Sequence, residues 1–257
     1  MTRTPAAVPG GAIALAGRVV SRLGLGTMRL AGPGTWGRPA DADSAIRVLR
    51  EAVHVHGISH LDTADAYGPH TVEELIARAL RPYPEHVLIA TKVGMVRPAP
   101  NVWKPLGRPE YLRAAAEMSL RRLGVERLEL CYLHRIDPAV PLEDQIGELR
   151  DLQSEGKIGH IGLSKVTVAQ IRAASTVARI AAVQNCLNLA EPDDPALVYC
   201  AMQGIPYVPY RPLDAGALAT TGSPDKALGW LLALGHHTAP IPGTSSPQHL
   251  RELAAAV

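Results

Sequence analysis

The sequence predicts a closed (β/α)8 barrel with a small β-hairpin ahead of it. Three observations carry that expectation. From residue 43 onward, short β-type runs alternate with helical patterns, an order that implies parallel strands joined by right-handed crossovers. The strand–helix units number eight, and the 257 residues of the chain match the ~250 that such a barrel takes. A doubly wound sheet would have fewer strands and a switch point. No linker or low-complexity tract divides the chain, so residues 1–257 read as one domain.

The elements follow in order. "AIALAGRVV" (12–20) reads as a hairpin turning at Ala16-Gly17, and "RLGLGTM" (22–28) as the first barrel strand. "AIRVLREAVHVHG" (45–57) carries Ile46, Leu49 and Val53 on one helical face and stops at Gly57, the residue suited to a helix C-terminus. "ISHLD" follows as the second strand. Helix 71–80 with strand 87–93, helix 109–124 with strand 128–134, and helix 142–156 with strand 158–164 repeat the unit. Helix 168–179 with strand 180–185, and helix 194–204 with strand 205–210, continue it. Helix 226–234, strand 238–243 and helix 247–257 close the chain. "MVRPAPNVWKPLGRP" (95–109) reads as a long loop.

Charge and apolar content narrow the function classes. Lys and Arg number 26 against 24 Asp and Glu, mixed along the chain, for a formal net charge of +2. Neither a nucleic-acid footprint nor a polybasic membrane patch is present. The apolar runs fall short of the ~20 residues that cross a bilayer. Pro5, Pro9, Gly10 and Gly11 interrupt the N-terminal stretch, which argues against a secretory signal. Cys131, Cys186 and Cys200 are odd in number and lie in apolar surroundings, so they read as reduced, buried thiols of a cytoplasmic protein.

In a barrel of this kind, reactive residues stand at the C-terminal ends of strands and in the loops beyond them. Four ionisable residues stand there: Asp62 after "ISHL", Tyr67 in the loop that follows, Lys92 after "VLIAT", and His134 ending "LELCYLH". A free tyrosine has a pKa of ~10 and is a poor acid at neutral pH. An adjacent ammonium is expected to lower that value, with a carboxylate holding the lysine in place. The histidine then orients or polarises a carbonyl oxygen. Alone, Asp62 would read as a cap; the four together read as a carbonyl-reducing site that needs a hydride donor.

"HLDTADAYG", "IATKVG", "SLRRLGVERLELCYLH", "GKIGHIGLS", "VQNCLNL", "PYRPLDAGAL" and "IPGTSSPQHLREL", in this order over nearly the whole chain, resemble the aldo-keto reductase superfamily. The resemblance implies a TIM-type barrel, reduction of a small-molecule aldehyde or ketone without a metal, and NADP(H) as cofactor, with NAD(H) as the alternative. It implies Asp62, Tyr67, Lys92 and His134 as the catalytic tetrad, with Tyr67 as acid. It implies that Ser164 and Gln184 bind the nicotinamide carboxamide and that Tyr210 stacks on its ring. Thr27 and Met28 match the cofactor-facing turn. Pro212, Leu213 and Gly216 fall at the pyrophosphate. Ile241, Gly243, Thr244, Ser245, Ser246, His249 and Glu252 occupy the adenosine segment. The chain departs from the pattern at Lys165, Arg211, Gly243, His249 and Leu253, and Lys165 and Arg211 are candidate phosphate ligands in place of the usual residues. One helix region, near 219–230, is expected to be shortened.

Other patterns are weaker. "GPGTWG" (32–37) matches a glycine-rich dinucleotide pattern, but Pro33 and Pro39 break it. It reads as a substrate-side loop with Trp36 as an apolar wall, and Trp103 is a second wall. His54, His56 and His60 lack ligand spacing for a metal. Asp193-Asp194 reads as a helix start. Two alternatives remain beside reduction: a redox-neutral dehydration or cyclisation by the same tetrad, and a non-catalytic binding homologue.

Overall fold

The computed structural model describes residues 8–217 and 224–257. Strands β1 (Ala12–Leu15) and β2 (Arg18–Ser21) form an antiparallel hairpin with Leu15 opposite Arg18. The two-residue turn between them has positive φ at Ala16 (50°) and Gly17 (74°), as a turn matching the strand twist requires. Six parallel strands follow in the order β3 (Leu25–Gly26), β4 (His60–Asp62), β5 (Leu88–Val93), β8 (Leu128–Leu133), β9 (Ile158–Ser164) and β10 (Ile180–Gln184).

Residues 205–210 and 238–243 close the ring as the seventh and eighth segments. Val208 N donates to Val183 O and Ala239 N to Tyr207 O, while Gly24 N and Gly26 N donate to Pro240 O and Pro242 O. Proline explains why these two segments carry only isolated bridges rather than continuous ladders. Pro240 and Pro242 accept from the first strand but have no N–H to give.

Helices α1 (Ala42–His54), α2 (Thr71–Leu80), α3 (Pro109–Leu123), α4 (Leu142–Ser154), α5 (Val168–Ser175), α6 (Pro195–Gln203), α7 (Pro224–Ala233) and α8 (Pro247–Ala255) are the α-helices among the described residues. Asp41 caps α1 and Asp194 caps α6, and α3 ends at left-handed Gly124. The expected shortening near 219–230 falls in part on residues 219–223, outside the described residues; from Pro224 the chain is helical. The expected loop 95–109 is in its first part a second hairpin, β6 (Met95–Ala99) with β7 (Val102–Pro105). Pro98, Pro100 and Pro105 hide it from strand propensity.

Period-two alternation divides the strands into two faces. Leu88, Ala90, Leu130, Tyr132, Ala182, Val208, Ala239 and Ile241 form one apolar cluster with the hairpin residues Ile13, Leu15 and Val20. The other parity, including Leu61, Val93, Cys131, Leu133, Ile161 and Val183, packs with the helices in the larger cluster. The first set fills the barrel, with the hairpin packed against it. Continuing its parity to the strand ends brings Asp62, Lys92, His134, Ser164, Gln184 and Tyr210 onto the inner face. Cys131 and Cys200 are buried and Cys186 is only partly so; all three are free.

Candidate active site

The Asp62 carboxylate is the inward end of β4. Its Oδ1 accepts from Lys92 Nζ at 2.5 Å and its Oδ2 from Gln184 Nε2 at 2.7 Å. Lys92 spends its other protons on Thr63 O at 2.8 Å and Tyr67 Oη at 3.3 Å. Lys92 and Asp62 are 1% and 2% exposed, so all of this takes place away from bulk water. The structure thus brings Asp62, Tyr67 and Lys92 into one chain of hydrogen bonds. The His134 ring lies edge-on to Tyr67, 6.0 Å between centroids, and Trp103 stands 6.4 Å from Tyr67 and 6.2 Å from His134.

Local sequence explains how Tyr67 is presented. The turn ends at Gly68, whose φ of +100° suits glycine and where a Cβ would collide with Thr71 Oγ1. Arg97 straps the surrounding loops together. Its guanidinium donates to Gly34 O, Thr35 O and Ala66 O, its Nε donates to Val102 O, and its Cζ lies 3.6 Å from the Trp103 ring centroid. The second aspartate of "HLDTADAYG" has a different fate. Asp65 is buried, neither of its oxygens finds a side-chain partner, and burial together with nearby Glu73 pushes its carboxyl well above the ordinary range. Its environment in the wall behind the site thus favours the protonated form.

Electrostatics correct one expectation. Burial pushes the Tyr67 phenol above its ordinary value, and the nearby Lys92 ammonium offsets that only in part. The expected net lowering is therefore not found: desolvation of a phenolate in this wall outweighs one ammonium that is itself paired. Burial pulls Lys92 down, but Asp62, with Tyr67, more than restores it, leaving it above ordinary lysine. His134 is held well below the usual imidazole range by burial, then by Lys92, Arg135 and Arg97. It is a neutral ring, and its buried Nδ1 has no partner among the described residues.

One cleft of about 1200 Å³ opens over these groups. Asp62, Tyr67, His134 and Trp103 line its deep part, and Ser164, Gln184 and Tyr210 line it beside them. Met28, Lys165, Arg211, Pro212, Leu213 and Gly216 continue the wall, as do Ile241, Gly243, Thr244, Ser245, His249 and Glu252. Four expected residues are not on its surface. Lys92 lies behind Tyr67. Thr27 is buried and donates to Asp62 O at 2.8 Å, fixing the turn rather than facing a ligand. Ser246 spends its hydroxyl capping α8. Trp36 packs toward Arg97, 5.9 Å from its Cζ, and the wall expected of it is Thr35 instead.

The sequence reading missed Arg29 and Arg135, which line the cleft. Arg135 had a signal, since it follows His134 directly at a strand end. The cleft is rich in cations: Arg29, Arg135, Lys165 and Arg211 against Asp62 and Glu252, with Asp62 already paired. Lys165 and Arg211 both sit in left-handed backbone, at φ 55° and 54°, a conformation that costs a non-glycine residue energy and gathers at functional sites. A cleft of this volume, with an aromatic face at Tyr210 and cations along one wall, suits the aromatic ring and phosphates of a dinucleotide. Among the described residues no cluster of His, Cys, Asp and Glu could hold a metal ion, and no helix is long and apolar enough to cross a membrane.

Comparison with known proteins agrees with this geometry. A family model described as the aldo/keto reductase family matches residues 22–229. An uncharacterized oxidoreductase of Schizosaccharomyces pombe is 41% identical over 256 residues, covering 94% of this chain and 83% of its own. Pyridoxine 4-dehydrogenase of Escherichia coli is 40% identical over 256 residues, covering 92% and 89%. Among solved structures, a glycerol dehydrogenase of Gluconobacter oxydans superimposes with a TM-score of 0.86 at 26% identity, over 96% of this chain and 90% of that one. An aldo-keto reductase of Klebsiella pneumoniae, solved with NADP and acetate, shares the fold with a TM-score of 0.77 at 24% identity, over 95% and 89%.

Proposed function

We propose that this chain, which belongs to the aldo/keto reductase family, reduces an aldehyde or ketone to the alcohol with NADP(H) as the hydride source. The observation that carries the reading is the Lys92 ammonium, buried behind the cleft wall and bridging Asp62 Oδ1 and Tyr67 Oη at 2.5 and 3.3 Å, with both partners and His134 lining the cleft. One relative supports the reaction class: a 40% identical protein is named for dehydrogenating pyridoxine. The whole chain is read as one barrel domain serving one site.

A bound nicotinamide supplies the hydride. The residues of the chain handle binding and the proton. Ser164, Gln184 and Tyr210 would hold the nicotinamide end, and Lys165 and Arg211 with the 243–252 segment the phosphates and adenosine. NAD(H) is the alternative, because Gly243 and His249 bring no fixed positive charge to that segment. At the reacting centre Tyr67 donates its hydroxyl proton to the carbonyl oxygen. Its raised pKa is no obstacle, because the recipient oxygen becomes an alkoxide about as basic as hydroxide and far more basic than a phenolate. Lys92 then donates to the phenolate left behind, and Asp62 keeps Lys92 charged and aimed. His134, held neutral, keeps one N–H to offer the carbonyl oxygen without adding a charge that would hinder the cation beside it.

Fluorescence titration with NADPH and NADH, followed by turnover of an aldehyde panel, tests the reading. Tyr67→Phe is expected to bind cofactor normally and to lose about 10²–10⁴-fold in kcat, the usual worth of a general acid. Undiminished turnover by Tyr67→Phe would remove the acid assignment. Failure to bind either dinucleotide would transfer the same residues to a redox-neutral acid–base reaction.

A further inference from the structure

We propose that Arg135 is the substrate-anchoring residue of this site, and that the preferred carbonyl substrates carry an oxyanion, a carboxylate or a phosphate ester, near the carbonyl. The inference rests on the reductase reading and narrows its substrate class.

Arg135 follows His134 off the end of β8 and lines the same cleft as Tyr67, His134 and Trp103. Its Nη1 is fixed by His134 O at 2.7 Å and Ser164 Oγ at 3.1 Å. Its Cζ lies 5.8 Å from the Tyr210 ring centroid. The side chain is thereby aimed, half-buried, at the reacting end of the cleft, close enough to depress His134 and to act on Tyr67. Nε and Nη2 have no partner among the described residues, and no carboxylate pairs with the group. Arg211, at the same cleft, is by contrast bonded to Asp214 at 2.8 Å. The carboxylates on the cleft surface are Asp62, held by Lys92 and Gln184, and Glu252 on α8. Asp65 lies behind the wall and is not on the cleft surface.

A half-buried guanidinium with two open donor groups and no counter-charge is incomplete. The planar fork matches a carboxylate or a phosphate, with two parallel N–H···O bonds. Met95 and Trp103, from the β6–β7 hairpin, supply an apolar wall for the rest of such a molecule. Lys92 does not compete for the anion, because its three protons are already placed on Asp62, Thr63 and Tyr67.

The test compares kcat/KM within matched pairs, using NADPH: 4-carboxybenzaldehyde against its methyl ester, and a phosphorylated hydroxyaldehyde against the free hydroxyaldehyde. Wild type is expected to favour the anionic member of at least one pair tenfold or more, and the favoured pair identifies which oxyanion is recognised. Benzoate or inorganic phosphate should inhibit reduction of the neutral member competitively, a readout that needs no variant. In Arg135→Met the anionic-to-neutral ratio should fall at least tenfold, and Arg135→Lys should restore part of it. Using the ratio divides out any shared effect on cofactor binding. A wild-type ratio near one with good turnover of neutral aldehydes would overturn the proposal and leave the reductase reading intact. So would a ratio untouched by Arg135→Met while the NADPH Kd rises tenfold, which would assign the guanidinium to the cofactor. Absence of turnover with every member, despite NADPH binding, would overturn both.

Discussion

Asp62→Asn tests the electrostatic core of the site. The change keeps the shape of the side chain and removes one charge. In the wild type, Lys92 and Asp62 meet at 2.5 Å with 1% and 2% exposure, so loss of the carboxylate strands a buried ammonium. Coulomb's law gives about 4 kcal/mol for charges ~4 Å apart at an effective dielectric constant of ~20. Breaking buried pairs by removing one partner costs a similar ~3–5 kcal/mol. We therefore expect a loss of about 4 kcal/mol at pH 7 in urea unfolding followed by circular dichroism. The pH dependence carries the sign. In the wild type Lys92 lies above the ordinary lysine value of 10.5. Its contribution is full below that value and is lost only as pH rises through the higher folded pKa. In Asp62→Asn, burial acts unopposed and the folded pKa drops below the unfolded one. The unfolded state then holds more protons between the two values, so the variant gains stability there as pH rises. The gap between the proteins must narrow on the alkaline side. A loss under about 1 kcal/mol at pH 7, or a gap constant from pH 7 to 10, would refute the claim that this pair is desolvated and charged.

The parity of short strands is the part of this molecule that its sequence states most directly. "LIATKV" and "LELCYLH" are apolar on both faces, so periodicity alone does not say which side looks inward. Their ends do, because Lys92 and His134 are tolerable only where a cleft or a partner receives them. That is why Lys92 and His134 stand out in the sequence as candidates for a site at the strand ends. Glycine and the hairpin turn were equally legible, since Ala16-Gly17 needs positive φ. The β6–β7 hairpin was not, because proline suppresses the strand signal while still permitting pairing at positions where it need not donate. For the same reason the seventh and eighth segments are proline-bearing runs that complete the ring with few bonds. Charge environment was the least legible of all. Whether Tyr67 is pushed up or pulled down depends on how much water the fold excludes, and whether Asp65 is ionised depends on Glu73 and Arg122 from two helices. The nine residues of "HLDTADAYG" by themselves encode neither.

Two further outcomes separate groups that look alike in the sequence. His60 is fully buried, both its ring nitrogens lack partners, and burial lowers its pKa from 6.5 to about 4. The unfolded chain therefore takes up this proton first, and stability falls as pH drops from 6.5 toward 4, by about 3 kcal/mol at ~1.36 kcal/mol per unit. The raised carboxyl of Asp65 works in the opposite direction, so the measurement is the difference between wild type and His60→Leu in urea midpoints from pH 7 to 4. That difference should shift toward the variant on acidification, and a pH-independent difference would mean His60 is protonated in the fold. Asp65→Asn completes the contrast within the motif. Asp62 holds a charge that a buried ammonium needs, whereas burial and Glu73 push the Asp65 carboxyl well above its ordinary range, toward the neutral form. Exchanging a carboxyl biased toward its neutral form for an amide strands no paired charge, so the expected cost at pH 7 is within about 1 kcal/mol, against about 4 for Asp62→Asn. Three residues apart and equally buried, the two aspartates should differ by about 3 kcal/mol in urea unfolding at pH 7. Equal losses would mean that Asp65 is ionised, and that the Arg122–Glu73 pair behind it shares its charge with both carboxylates.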